Sequence, residues 1–365
     1  MASSASPSEF ARTPHPAPRG VDERTAILTN PGFGTTFSDH MVEIDFDAAQ
    51  GWHNPRVVPY GPIALDPAAA VLHYAQEIFE GLKAYRLDDG GIALFRPEAN
   101  AARFNASARR LAMPELPPEL FVEAVRQQVL ADADWFPTVE GGSLYLRPFM
   151  FASEAFLGVR PARTYKFLVI ASPAGNYFKS GAPAVSIWVS DYSRAAPGGT
   201  GAAKCGGNYA GSLVPTAEAF ARGHDQVLFL DAVEHRWVEE LGGMNLFFVK
   251  SDGSLITPPL GGTILPGITR DSLMTLARAE GLAVREEAYA LDQWRAEAAS
   301  GELLETFACG TAAVVTSVGK VADRNGEFLI GSGGPGQLTQ KLRQLLVSIQ
   351  RGAAPDTHNW VHRIG

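Results

Sequence analysis

Apolar and polar residues alternate with period two over residues 185–190 (Val-Ser-Ile-Trp-Val-Ser), and this pattern predicts a strand. Apolar, β-rich runs predict further strands at 92–95, 143–151 and 165–172. Helical signals interleave with them. Pro97 opens a helix that runs through Arg103 and Arg109 and stops before Pro114, proline being favoured in a first helical turn. Residues 119–131 predict a second helix, apolar at Leu120, Val122, Val125 and Val129. In the second half, strands are expected at 226–230, 235–239, 245–250, 254–257 and 304–309. Helices are expected at 211–222, ended by Gly223, at 271–280, closed by Gly281, and at 336–349. This mixture lacks a regular βαβα alternation, so two α+β-type domains are predicted rather than one doubly wound sheet. Residues 174–183 read as the loop between a smaller N-terminal α/β domain (25–173) and a larger C-terminal one (184–365).

Composition narrows the partners. The chain has 365 residues, 46% of them hydrophobic and 19% charged, the make-up of an ordinary globular protein long enough for two cores. A net charge of −8 and a pI near 5.5 argue against nucleic acid or an anionic membrane as the main partner. No run approaches the roughly 18 apolar residues of a membrane helix. Residues 1–24, rich in Ser, Pro and Ala, read as a disordered tail; as a transit peptide they are poor in arginine and carry Glu9, Asp22 and Glu23. The two cysteines, Cys205 and Cys309, are too few for a disulfide framework and suit a reducing compartment, with the cytoplasm as the expectation.

Chemistry concentrates at residues 199–209, Gly-Thr-Gly-Ala-Ala-Lys-Cys-Gly-Gly-Asn-Tyr. Lys204 stands among residues with almost no side-chain bulk, between a predicted strand and a predicted helix. Three explanations compete: a phosphate-cradling loop, a solvated surface turn, or an amine that bonds covalently to a carbonyl. A phosphate loop requires glycine before the lysine and Ser or Thr after it, and here the neighbours are Ala203 and Cys205. Another glycine pattern, Gly331-Ser332-Gly333-Gly334-Pro335-Gly336, matches a dinucleotide fingerprint literally. It lies too near the chain's end to be followed by the second strand and ribose-binding acid, so it reads as a surface loop.

A lysine that captures a phosphorylated cofactor needs an anion site, and Leu265-Pro266-Gly267-Ile268-Thr269-Arg270-Asp271 leads straight into a helix whose first amides could supply it. An ordinary helix cap is the plainer alternative. Arg103 could add a guanidinium. A pyridine nitrogen would require an acid, and Glu239 and Glu240 are adjacent in Trp237-Val238-Glu239-Glu240-Leu241. Neighbours on a strand face opposite ways, so at most one serves, and periodicity does not choose.

Taken together, Lys-x-Gly-Gly-Asn-Tyr (204–209), Glu-x-x-Gly-x-Asn-Leu-Phe (240–247), Leu-Pro-Gly-Ile-Thr-Arg (265–270) and Gly-Thr-Ala (310–312) resemble the branched-chain amino-acid aminotransferases, fold-type IV enzymes that use pyridoxal 5'-phosphate. Phe37-Ser38-Asp39-His40-Met41, Leu72-His73-Tyr74, Phe79-Glu80-Gly81-Leu82-Lys83-Ala84 and Leu144-Tyr145-Leu146-Arg147-Pro148 extend the resemblance over roughly residues 30 to 362.

The resemblance implies a homodimer without a metal, transferring amino groups from leucine, isoleucine and valine to 2-oxoglutarate. It implies Lys204 as the imine-forming lysine and proton carrier, Tyr209 at the cofactor's phenolic oxygen, and Glu240 at its ring nitrogen. Arg103, Ile268, Thr269 and Thr311 would hold the phosphate. Phe37, Tyr74, Phe79, Tyr145 and Tyr177 would line the substrate pocket, Thr311 and Ala312 amides would meet the substrate carboxylate, and Arg147 would accept the side-chain carboxylate of glutamate. Arg194, on the stretch before the lysine, would close over the site. The Cys-x-x-Cys that mammalian members carry after Gly-Thr-Ala is replaced by Ala313 and Thr316, so that redox switch is not expected. Rival readings are a D-amino-acid aminotransferase or a pyruvate-releasing lyase of the same fold, and a nucleotide-binding dehydrogenase.

Overall fold

The computed structural model describes residues 9–175 and 184–364. The chain divides into two compact units, one of residues 1–177 and 349–365, the other of 178–348.

The first unit begins with β1 (Ala11–Arg12), α1 (Val21–Thr29), β2 (His40–Asp47), β3 (Gly51–Pro59), α2 (Val71–Tyr74), β4 (Glu77–Phe79), β5 (Leu82–Arg86) and β6 (Ile92–Phe95). It continues with α3 (Pro97–Arg110), α4 (Pro118–Ala131), β7 (Ser143–Ala152) and β8 (Thr164–Ala174). The second unit holds β9 (Val185–Val189), α5 (Gly206–Ala210), α6 (Leu213–Ala221), β10 (Gln226–Leu230), β11 (Val238–Leu241), β12 (Asn245–Lys250) and β13 (Ser254–Thr257). After these come α7 (Ile268–Ala279), β14 (Ala283–Glu286), α8 (Leu291–Ser300), β15 (Leu303–Gly310), β16 (Val314–Asp323), β17 (Gly326–Leu329) and α9 (Gln337–Gln350). The last strand, β18 (Val361–Ile364), returns to the first unit.

The first unit is one sheet in the order β1-β3-β2-β8-β7-β5-β6-β18, with β4 beside β7. Only the β1–β3 pairing is parallel among its named pairs. Helix α4 lays Phe121, Ala124, Val125 and Val129 inward, and Phe121, Phe104 of α3 and Phe167 of β8 meet ring to ring. In the second unit the order is β11-β10-β9-β16-β15-β12-β13-β14, with β17 on β16. An added β11–β12 pairing joins β11, β10, β9, β16, β15 and β12 into a closed ring. Closure removes the open edges that such strands would otherwise present. Its apolar core includes Ile187, Leu228, Leu246, Phe248, Trp294 and Val321.

Several boundaries differ from the sequence expectation, each for a local reason. Residues 9–20, expected within a tail, are tied down: β1 pairs with β3, Phe10 is buried, and Arg19 donates to the Phe37 carbonyl at 2.6 Å. The C-terminal residues, expected in the second domain, supply β18, which pairs antiparallel with β6. The helix expected over 211–222 begins only at Leu213, after the separate short helix α5; Pro215, which has no amide, falls in the first turn of α6, where none is needed. The strand expected at 235–239 begins only at Val238. Before it, the Asp231 carboxylate accepts the amides of Val233, Glu234, Arg236 and Trp237, folding that stretch into a turn, and these bonds draw its pKa down to about 2 although burial opposes them. Strands β1, β2, β3, β4, β5, β14, β16 and β18 were not anticipated.

Candidate active site

Lys204 lies between β9 and α5 on a segment anchored at several points. The buried Asn208 donates through Nδ2 to the carbonyls of Thr200 (2.8 Å) and Ala203 (2.9 Å), and the Thr200 hydroxyl donates to its Oδ1 (2.7 Å). The amide of Ala202 donates to the Gly262 carbonyl at 3.0 Å. Gly201 permits this approach, since a Cβ there would stand 2.3 Å from the Thr263 carbonyl oxygen. The half-buried Lys204 thus has a fixed base, and its Nζ donates to Tyr209 Oη at 2.8 Å. A solvated turn does not describe this segment.

Strand β11 carries both candidate acids, and both are buried. Glu239 accepts from the Thr263 hydroxyl, and burial raises its pKa. Glu240, 2% exposed, takes Arg194 Nη1 at 2.6 Å and the Leu265 amide at 3.3 Å, both on Oε1. Burial pushes the Glu240 carboxyl up to about 7, although Arg194 pulls the other way. The side chain of Arg194, expected to close over a site, is 2% exposed. Its Nη1 also donates to the carbonyls of Thr263 (3.2 Å) and Gly201 (3.4 Å).

Helix α7 begins at Ile268 after Gly267 in an extended N-cap conformation, so Ile268 and Thr269 carry first-turn amides whose acceptors lie outside the helix. Asp271 adds the favourable first-turn charge. Arg270 is committed elsewhere, to the Pro258 carbonyl (2.9 Å) and Glu286 (2.8 Å). Thr311 and Ala312, both half-buried, occupy the turn joining β15 to β16. The next residue but one, Val314, has φ +63°, a costly conformation for a β-branched residue.

In the first unit, Phe33, Gly34, Phe37, Tyr145, Arg147, Ile170, Ala171 and Ser172 line a cavity of about 360 Å³. The Arg147 guanidinium lies 4.8 Å from the ring centre of Phe79 and donates to Tyr145 Oη at 3.2 Å. Its Nε is buried and has no partner among the described residues. Tyr74 is not among the residues lining this cavity; it is 42% exposed, its hydroxyl donating to the Leu157 carbonyl. Tyr177 lies outside the described residues.

Arg103 makes a two-pronged contact with Glu80, Nε to Oε1 at 2.7 Å and Nη2 to Oε2 at 2.8 Å. Glu80 is fully buried and also accepts from Asn100 Nδ2 (2.7 Å) and the Gly81 amide (3.1 Å). Gly81 has no room for a side chain, a Cβ there falling 2.1 Å from Tyr145 Oη. Glu80 and Asn208 had no role in the sequence reading. A lone acid inside Ile78-Phe79-Glu80-Gly81-Leu82 was the available signal, because a charge in an apolar run must find a buried partner.

An anchored lysine amine against a phenol, with a buried acid on a neighbouring strand and a helix N-terminus, defines a lysine enzyme that handles carbonyl compounds. Residues 77–321 match the amino-transferase class IV family. The chain belongs to that family. It is 57% identical over 363 residues to the branched-chain-amino-acid aminotransferase of Mycolicibacterium smegmatis, covering 98% of this chain and 99% of that one. With branched-chain-amino-acid transaminase 1 of Bacillus subtilis it shares 47% over 331 residues, 90% of this chain and 93% of that one. Among solved structures, the Escherichia coli branched-chain amino acid aminotransferase superposes with a TM-score of 0.76 at 28% identity, covering 90% of this chain and 99% of that one. The branched-chain amino acid aminotransferase of Thermobaculum terrenum, in its PLP-form, gives 0.72 at 25%, covering 90% of this chain and 98% of that one. These likenesses bear out the expected mixed α+β, fold-type IV architecture.

Proposed function

We propose that the protein transfers the amino group of leucine, isoleucine and valine to 2-oxoglutarate, giving the branched 2-oxo acids and L-glutamate in a ping-pong cycle with pyridoxal 5'-phosphate. The observation that carries this reading is the Lys204 amine held 2.8 Å from the Tyr209 phenol on an anchored segment. The relatives named above share the activity in their names and nearly the whole chain length.

The residues fit the cofactor. When bound, pyridoxal phosphate supplies a reactive carbonyl and a ring that accepts electrons. Lys204 would be the nucleophile toward that carbonyl, and its amine would carry the substrate's α-proton. Tyr209 presents its hydroxyl to the phenolic oxygen. Both contacts of Glu240 named above fall on Oε1, and its carboxylate would serve the ring nitrogen. The amides of Ile268 and Thr269, with Thr311 and Arg103, are proposed for the phosphate. Thr311 and Ala312 amides are proposed for the substrate α-carboxylate, with Phe37, Tyr74, Phe79, Tyr145 and Tyr177 for its side chain. Arg147, whose buried Nε lacks a partner, accepts the side-chain carboxylate of glutamate.

We also propose a cytoplasmic homodimer with no nucleic acid or membrane partner. No helix among the described residues is long and apolar enough to cross a membrane. Leu72, Tyr74, Leu157 and Val159 are exposed, the Tyr74 hydroxyl donates to the Leu157 carbonyl, and this surface is the one proposed to meet a second copy.

Borohydride reduction and peptide mapping should place the phosphopyridoxyl label on Lys204, with turnover of L-leucine and 2-oxoglutarate but not of D-alanine. Lys204→Ala should lose label and turnover together. A variant that keeps both would refute the assignment, and pyruvate release would favour the lyase.

A further inference from the structure

Arg194 is a buried cation of the second unit's candidate site, and nothing in the proposed chemistry uses it directly. Its side chain is 2% exposed. A single nitrogen, Nη1, meets three different pieces of chain: Glu240 on β11 at 2.6 Å, the Thr263 carbonyl at 3.2 Å and the Gly201 carbonyl at 3.4 Å. Gly201 lies three residues before Lys204, and Thr263 two before Leu265, whose amide also donates to Glu240. The guanidinium carbon stands 5.9 Å from the ring centre of Tyr209.

We propose that Arg194 is a positioning residue that keeps Glu240 an oriented carboxylate and, through the same nitrogen, locks the Lys204 segment to the stretch carrying Thr263 and Leu265. The inference rests on the proposed role of Glu240 at a pyridine nitrogen. Both contacts of Glu240 named above fall on Oε1, so they hold that oxygen while neither engages Oε2. The charged groups acting on Glu240 are Arg194 and Lys204, which favour the carboxylate, and Glu239, which opposes it. From the neighbouring strands come the uncharged Phe229 of β10 and Asn245 of β12. Removing Arg194 leaves a buried acid with one weaker cation and one like charge, and such an acid takes up a proton. A protonated Glu240 cannot keep a ring nitrogen protonated.

The test uses pyridoxamine 5'-phosphate, which carries an amine and makes no bond to lysine, titrated into apoenzyme by fluorescence between about pH 5.5 and 9. Wild type should bind tightly at high pH and lose affinity as Glu240 protonates on the acid side. In Arg194→Met that loss should begin at a pH higher by about one unit or more, so that affinity near neutrality falls by about tenfold or more. Glu240→Gln should abolish the acid-side loss, and adding Arg194→Met to it should not restore one. A merely structural arginine predicts weaker binding at every pH with the wild-type profile unmoved, and that result would overturn the proposal. Should the methionine variant not fold, Arg194→Lys carries the same test, its profile lying between wild type and the expected shift; a profile identical to wild type with weakened affinity overturns it. Borohydride labelling of Lys204 in wild type separates the two claims: no label defeats the functional reading, whereas a label with an unmoved profile defeats only the role of Arg194.

Discussion

Burial and charge act against each other at Glu240, and the balance has a consequence for the folded chain without cofactor. A carboxyl whose folded pKa lies above its unfolded value binds its proton more tightly in the native state. Native stability therefore falls as pH rises from the ordinary carboxylate range to about 7, and is unaffected by this group above that. Denaturant unfolding of apoenzyme across about pH 4.5 to 8 should show this decline, and Glu240→Gln should remove it; a variant with an unchanged slope would mean another group is responsible. At this scale the sequence was informative where chemistry requires a residue type. Lys204 could be picked out by its bare surroundings, but the partners of Arg103 and Arg194 could not. Glu80 lies 23 positions before Arg103, and Glu240 lies 46 after Arg194, and only the tertiary fold brings those pairs together.

Among the elements, the short helix α5 acts as the fastener of the lysine segment. Asn208 makes three hydrogen bonds to Thr200 and Ala203, two through one amide nitrogen. Asn208→Ala removes all three bonds and takes the Asn208 donor from the carbonyl of the buried Ala203, and should cost about 2 kcal/mol of stability. Its loss of cofactor affinity should exceed that of a surface control, measured by pyridoxamine 5'-phosphate titration; equal affinity would show that the segment holds its shape unaided. Helices and strands with strong local signals were legible: α3 from Pro97, α4 from its apolar face, β12 and β13 from their β-rich runs. Strand β2 alternates at Val42, Ile44 and Phe46, a signal present but unread. Strand β3 is harder, because Pro55 and the left-handed Asn54 interrupt its pattern. Strand β18, four residues long, has no signature without β6 beside it.

For the whole molecule, the exposure of the apolar side chains Leu72, Tyr74, Leu157 and Val159 predicts association. Light scattering should give twice the chain mass of 39.0 kDa, and charged substitutions at Leu157 and Val159 together should shift it toward one chain. A wild-type protein of single-chain mass would refute the homodimer. The chain's return from the second unit to the first was not legible, because it depends on contacts between distant residues.

That return also orders events during synthesis. Strand β6 (Ile92–Phe95) is apolar and pairs on its outer side only with β18. Its partner leaves the ribosome after the whole second unit, which at usual elongation rates takes roughly ten to forty seconds. Through that interval the nascent first unit exposes an open hydrophobic edge, so the period of greatest danger of mispairing falls before the chain is finished.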